Sequence, residues 1–183
     1  MRYLMRQHPA WHERYHSGTD FPIEDGEGRL PFRVTREEPG RQAVFLLRDS
    51  RDAPLSSLRF RIDERSASCE IVQAGRTAQV VRNDGTGRRI RFRIDLADAE
   101  VLAAQGNIGR DEYVVRHGLR RLATVSKKGT PVQGTFGVEI SSGTDVVLLL
   151  SIVLAIGIMT GSQPDRPDGE EGEIRAAPPV RST

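Results

Sequence analysis

Arginines recurring at alternate positions are the residues of this chain best suited to chemistry. Arg89, Arg91 and Arg93 alternate with Ile90, Phe92 and Ile94, and Arg88 stands directly before them. Arg59 and Arg61 alternate with Leu58, Phe60 and Ile62, while Arg116, Arg120, Arg121, Lys127 and Lys128 cluster around a later hairpin. Successive side chains of a strand point to opposite faces, so each run places its cations on one face and its apolar residues on the other. A guanidinium presents a planar fork of donors that matches phosphate or carboxylate oxygens. Arg88, Arg89, Arg91, Arg93, Arg120, Arg121, Lys127 and Lys128 are therefore the candidate anion-binding residues. The competing account is an ordinary solvated strand face, neutralised by neighbouring Asp and Glu. No aromatic residues interleave to stack bases, so nucleic acid is not expected, and lipid headgroups or small phosphates fit better.

Other constellations point to less. His8, His12 and His16, with Glu13 among them, are spaced to share a helix face and hold a metal. Pro9 interrupts the stretch and its flanks read as strand and loop, so a solvated loop is expected, with no metal and no cofactor. Cys69 alternates with Ile71 on a strand pattern and reads as a small buried hydrophobe rather than a nucleophile. Asn83–Gly87 is glycine-rich, but a strand pattern follows it where a phosphate-cradling loop needs a helix. No Ser-His-Asp order, catalytic carboxylate pair or metalloprotease motif occurs in usable context, and no enzyme activity is expected.

The elements that must position these residues are strands. From residue 1 to about 141, short segments of alternating polarity are separated by turn residues such as Asp25-Gly26-Glu27-Gly28, Ala74-Gly75 and His117-Gly118. About a dozen strands recur at spacings near ten residues. A closed antiparallel barrel would remove their edges, but one of that width is too wide to fill from its own walls. The filling is Asp145–Thr160, DVVLLLSIVLAIGIMT, where only Ser151 and Gly157 interrupt the apolar run from Val146 to Met159. Thr144 is placed to cap this helix, Asp145 suits its positive end, and Gly161 and Pro164 close it. About 16 residues reach roughly 24 Å, short of the roughly 30 Å of a bilayer core. Neither end carries a close Trp, Tyr, Lys or Arg anchor. The run accordingly suits a protein interior better than lipid. From Ser162 onward the chain is rich in Pro, Gly and acidic residues and reads as a disordered acidic tail.

The balance of the whole chain is mild. Its 183 residues carry 27 Lys+Arg against 25 Asp+Glu, a net charge of +2, and Lys127 and Lys128 are the only lysines. One cysteine excludes a disulfide framework, and the amino-terminal MRYLMRQHPAW has no apolar signal region, so a reducing, cytoplasmic setting is expected.

The order of features resembles the LURP-one-related family, grouped with tubby C-terminal and phospholipid scramblase-like proteins. The resemblance is carried by MRYLMR, DFPIEDGEGRLPFRV, IRFRID, GNIGRDEYVVRHGLRRLATVSKK and TFGVEISSGTDVVLLLSIVLAI. It spans Met1 to about Gly161, and the ATVSKK and FGVEI pieces are its most specific parts. Residues 129–134, GTPVQG, replace a more apolar linker, and the tail is extra. The resemblance implies a closed antiparallel barrel of about twelve strands around a central C-terminal helix. No lipid-binding residue of the tubby relatives maps onto a position here.

The expectations are thus a mainly β barrel over 1–161, its helix at about 144–160, and a tail over 162–183. The expected function is that of a non-enzymatic binding or scaffold module, cytoplasmic or peripheral at a membrane, engaging anionic lipid or phosphate. One alternative is a scramblase-like membrane protein with Val146–Met159 in lipid. Another is a carrier with a small ligand between helix and barrel.

Overall fold

The computed structural model describes residues 1–6, 20–37, 44–62, 66–84, 90–128 and 135–161. Twelve strands follow one another: β1 (Arg2–Arg6), β2 (Asp20–Asp25), β3 (Phe32–Glu37), β4 (Val44–Asp49), β5 (Pro54–Ile62), β6 (Ala67–Gln73), β7 (Arg76–Asp84), β8 (Ile90–Leu96), β9 (Val101–Asn107), β10 (Glu112–His117), β11 (Arg120–Ser126) and β12 (Thr135–Ile140). One helix, α1 (Val146–Gly161), ends the described chain, and a short 3-10 turn, Ile108–Arg110, joins β9 to β10. Each strand pairs antiparallel with its sequence neighbour, and β1 pairs with both β2 and β12, which closes the barrel. The seam is tied by the Met1 ammonium donating to the Ile140 carbonyl at 2.8 Å and the Ile140 N–H donating to the Met1 carbonyl at 2.7 Å. The expected barrel with a central helix is the observed fold.

Alternation decides which face of each strand turns inward. On β8, Phe92 and Ile94 are buried between exposed Arg91 and Arg93; on β6, Ala67, Cys69 and Ile71 alternate inward. The tight turns meet their backbone needs locally. Ala74 (φ 47°) and Gly75 (φ 76°) both take left-handed geometry between β6 and β7, the pattern that matches hairpin twist.

α1 has no polar side, and Leu149 through Met159 are buried by the barrel wall. It lies closest to β5, β6 and β7. Ser151 gives its hydroxyl hydrogen to the Val147 carbonyl one turn back at 2.8 Å. Its oxygen therefore accepts from Ser56 of β5, 2.6 Å away, and the two buried hydroxyls satisfy each other. The cap differs from expectation. Asp145, not Thr144, caps α1, its Oδ1 accepting from the Leu148 N–H at 3.0 Å. Thr144 instead donates its hydroxyl to the Ser141 carbonyl at 2.6 Å, so the helix begins at Val146. The Gln73 amide, at the tip of β6, donates to both Asp145 oxygens at 3.1 and 2.9 Å and ties the helix start to the wall. Among the described residues no helix is long and apolar enough to cross a membrane. The segment 162–183, expected as an acidic tail, lies outside the described residues.

Two outcomes test this core. Leu149→Asp or Ile152→Asp puts an unpaired carboxylate at a site 2 % or 0 % exposed. That costs several kcal/mol against a total of about 5–15, so the cooperative thermal transition should disappear. A normal transition in either variant excludes the buried-helix fold. Ser151→Ala strands the Ser56 hydroxyl without its acceptor and should cost about 1–3 kcal/mol. Adding Ser56→Ala should recover part of that loss in a double-mutant cycle.

Candidate anion-binding face

Strand register sets where the sequence-predicted cations lie. Arg91 and Arg93 project outward from β8, and Arg120 and Arg121 begin β11, all four exposed. β9 and β10 separate the two groups. Across that gap, Arg93 stands opposite Ala103 of β9, Ala103 opposite Arg116 of β10, and Arg116 opposite Arg121 of β11. Neighbouring strands lie about 4.8 Å apart, so Arg93 and Arg116 are about 10 Å apart with only the Ala103 methyl between. Guanidinium side chains from both sides can reach over that small residue to one anion. On the other side of β8 the same row runs through Val81 and Ser68 to Arg61 of β5. Members of each sequence cluster, Arg61, Arg93, Arg116 and Arg121, thus fall on one tilted row of the barrel wall. Arg88 and Arg89 lie outside the described residues.

Pairing separates the cations further. Arg93 Nε lies 2.7 Å from Asp95 Oδ1, Lys127 Nζ 2.9 Å from buried Asp111 Oδ2, and Arg59 4.0 Å from Glu70. Arg91, Arg116, Arg120, Arg121 and Lys128 have no carboxylate partner among the described residues, and Arg116 Nε is covered with no hydrogen-bond acceptor. The wall formed by β2–β4 and its turns is different. Arg29 pairs with Asp25 and Glu27, Arg33 with Asp52, and Arg48 with Glu37 and Asp52. Burial pushes the Asp25 carboxyl up, but hydrogen bonds from the Arg29 side chain and from the Arg29 and Glu27 amides prevail and leave it below its usual range. The Arg33 hydrogen bond holds Asp52 low despite some burial. The neutralised-face account describes the β2–β4 wall, together with Arg59, Arg93 and Lys127. It does not describe Arg91, Arg116, Arg120 or Arg121, the other cations between β8 and β11.

A hollow of about 600 Å³ adjoins this wall, lined by Arg91, Gln105, Asn107, Ile90 and Ile108. Gly106 shapes it with a φ of 144°. A Cβ there would meet the Glu112 carbonyl oxygen at 2.5 Å and Tyr113 Cα at 2.7 Å, so no other residue fits without moving β10.

Cys69 is fully buried, and burial pushes its thiol far above the ordinary range, which suits a core residue and not a nucleophile. No group of acidic, His or Cys side chains able to hold a metal occurs among the described residues; His8, Glu13, His12 and His16 lie outside them.

The family model described as LURP-one-related matches residues 5–157, from within β1 to within α1. The chain belongs to the LURP-one-related family. No curated protein matches it. The matched span of this LURP-one-related chain contains the whole arginine row and stops before the acidic segment. Sequence reasoning found the individual arginines and missed Ala103 and the alignment of Arg116 with Arg93, because strand register is not local information. It also missed Asp111, the buried carboxylate that engages Lys127. Removing that cation leaves a carboxylate of only 9 % side-chain exposure without its ion pair. Lys127→Ser should therefore lower stability by about 1–2 kcal/mol, with Lys128→Ser near neutral, measured by denaturant titration.

Proposed function

We propose that this LURP-one-related barrel is a non-enzymatic binding module that engages phosphate-bearing anions, lipid headgroups or small phosphates, through its β8–β11 wall. The observation that carries this is the row in which Arg116 and Arg121, with Arg91 nearby, face outward without carboxylate partners among the described residues. An unpaired guanidinium is more weakly hydrated than an ammonium, and its planar fork of donors matches two oxygens of a phosphate. Ala103 supplies the space in which such a group can sit between unpaired Arg116 and Arg93, whose Asp95 partner is exposed and exchangeable. Near an anionic membrane surface each basic residue contributes about 1 kcal/mol, so a cluster of this size supports reversible, salt-sensitive association. A cytoplasmic protein that visits the membrane periphery fits that chemistry. The enclosure of α1 by twelve strands favours neither placing Val146–Met159 in lipid nor lodging a ligand beside the helix.

Sedimentation with phosphatidylcholine vesicles, with and without phosphatidylserine, tests the lipid arm; competition by inorganic pyrophosphate tests the small-phosphate arm. Binding should require the anionic lipid and fall as salt rises toward physiological strength. The triple change Arg91→Ser, Arg116→Ser, Arg121→Ser should weaken it about 100-fold or more. Equal recovery in the supernatant with every vesicle excludes lipid, and absence of pyrophosphate binding excludes the small anion.

A further inference from the structure

The barrel end where α1 begins carries an apolar arc. The β2–β3, β4–β5, β6–β7, β8–β9 and β10–β11 turns, the β12–α1 connection and Met1 all lie there, because antiparallel pairing brings alternate connections to one end. At the other end only the β9–β10 connection lies wholly among the described residues. Four large apolar side chains are exposed among the described residues: Met1, Leu30, Val101 and Leu119. All four stand at the α1-start rim, on neighbouring segments running from β9 through the β10–β11 turn and β1 to the β2–β3 turn. The rest of that rim, the β4–β5 and β6–β7 turns, offers Arg51, Ala53, Ala74 and Gly75.

Leu119 is the extreme case, 97 % exposed at the tip of the β10–β11 hairpin. Gly118 (φ 57°) meets the left-handed requirement of the turn, so nothing in the backbone calls for leucine beside it. Turn tips favour Gly, Asn, Asp and Ser, and a bare leucine gains nothing in water. Around it stand Arg116, Arg120 and Arg121, where the arginine row meets the rim, none with a carboxylate partner among the described residues. Isolated apolar tips spread along an arc do not form the continuous patch that a protein interface requires. A bilayer surface can accept several separate tips at once, with cations just above them at phosphate level.

We infer that the barrel docks on an anionic bilayer by this rim, with Leu119 inserted below the headgroups and Arg116, Arg120 and Arg121 on the phosphates. This rests on the lipid arm of the function proposed above and adds an orientation and an apolar anchor to it. The chain as it stands provides a labelling route, since Cys69 is buried. Leu119→Cys is coupled to a polarity-sensitive fluorophore and titrated with phosphatidylcholine vesicles containing about a quarter phosphatidylserine; Ala53→Cys, on the opposite arc, serves as control. The label at 119 should shift to the blue and brighten, and the label at 53 should not. Leu119→Asn, a residue that suits the turn, should weaken vesicle partitioning about tenfold, roughly the loss of one leucine's apolar area. It should leave pyrophosphate binding unchanged. If the unmodified chain ignores anionic vesicles, the lipid arm falls and rim docking with it. If the chain binds but the 119 label does not shift and Leu119→Asn binds equally well, rim docking alone is overturned. A Leu119→Asn change that abolishes a dimer while vesicle binding persists assigns the arc to a second copy instead and likewise overturns it.

Discussion

The structure depends on the mutual burial of one helix and one barrel. α1 is apolar on every side, so no orientation at a surface could satisfy it. A twelve-stranded barrel is too wide for its inward side chains to meet across the middle. A helix is suited to fill such a space because its backbone donors and acceptors bond within the helix and make no demand on the walls. Ser151 follows the same logic, bonding its own turn and one wall hydroxyl, Ser56. At the mouth, where helix amides are free, Asp145 accepts from the Leu148 N–H, and the Gln73 amide holds that carboxylate in place by donating to it.

That division of labour leaves the exterior and the rims for function. With the interior committed to packing, each strand's outward residues need only stay soluble, and two walls do so differently. The β2–β4 wall interleaves arginine with paired carboxylates, and the pairing holds Asp25 and Asp52 below their usual range. The β8–β11 wall presents arginines across Ala103 with fewer acids within reach. Identical residue types are thus paired with carboxylates in one place and left largely without them in another. The difference lies in what stands one strand away.

Membership of the LURP-one-related family accounts for the architecture over residues 5–157 and leaves the wall chemistry open. A shared barrel supports many surfaces, and a site has to be argued from its own side chains. Here those are the arginine row, the hollow beside Arg91 and the apolar tips at one rim.

Much of the fold was written locally. Period-two alternation marked the strands, so Cys69 and Ile71 turn inward on β6, and Phe92 and Ile94 turn inward on β8 between outward Arg91 and Arg93. The apolar run from Val146 and the count of strands together dictated a filled barrel, because neither can bury its apolar surface alone. Local pattern was less able to choose between Thr144 and Asp145 as the cap. Both side chains suit the position; Thr144 bonds instead to the Ser141 carbonyl three residues back, in a turn that Ser141 anchors to β11 by bonding the Leu122 and Arg121 carbonyls. The site was half legible. Arg91, Arg93, Arg116 and Arg121 are visible as residues, but their assembly into one row depends on registers set between strands, including a bulge between Val115 and Arg116. The engagement of Lys127 by Asp111 follows from the register of β10 with β11, and the gathering of Leu119, Met1 and Leu30 on one arc follows from barrel closure. Side-chain period is a property of one strand and can be read along the chain. Register, pairing and shared rims are relations between distant strands, and only the closed sheet decides them.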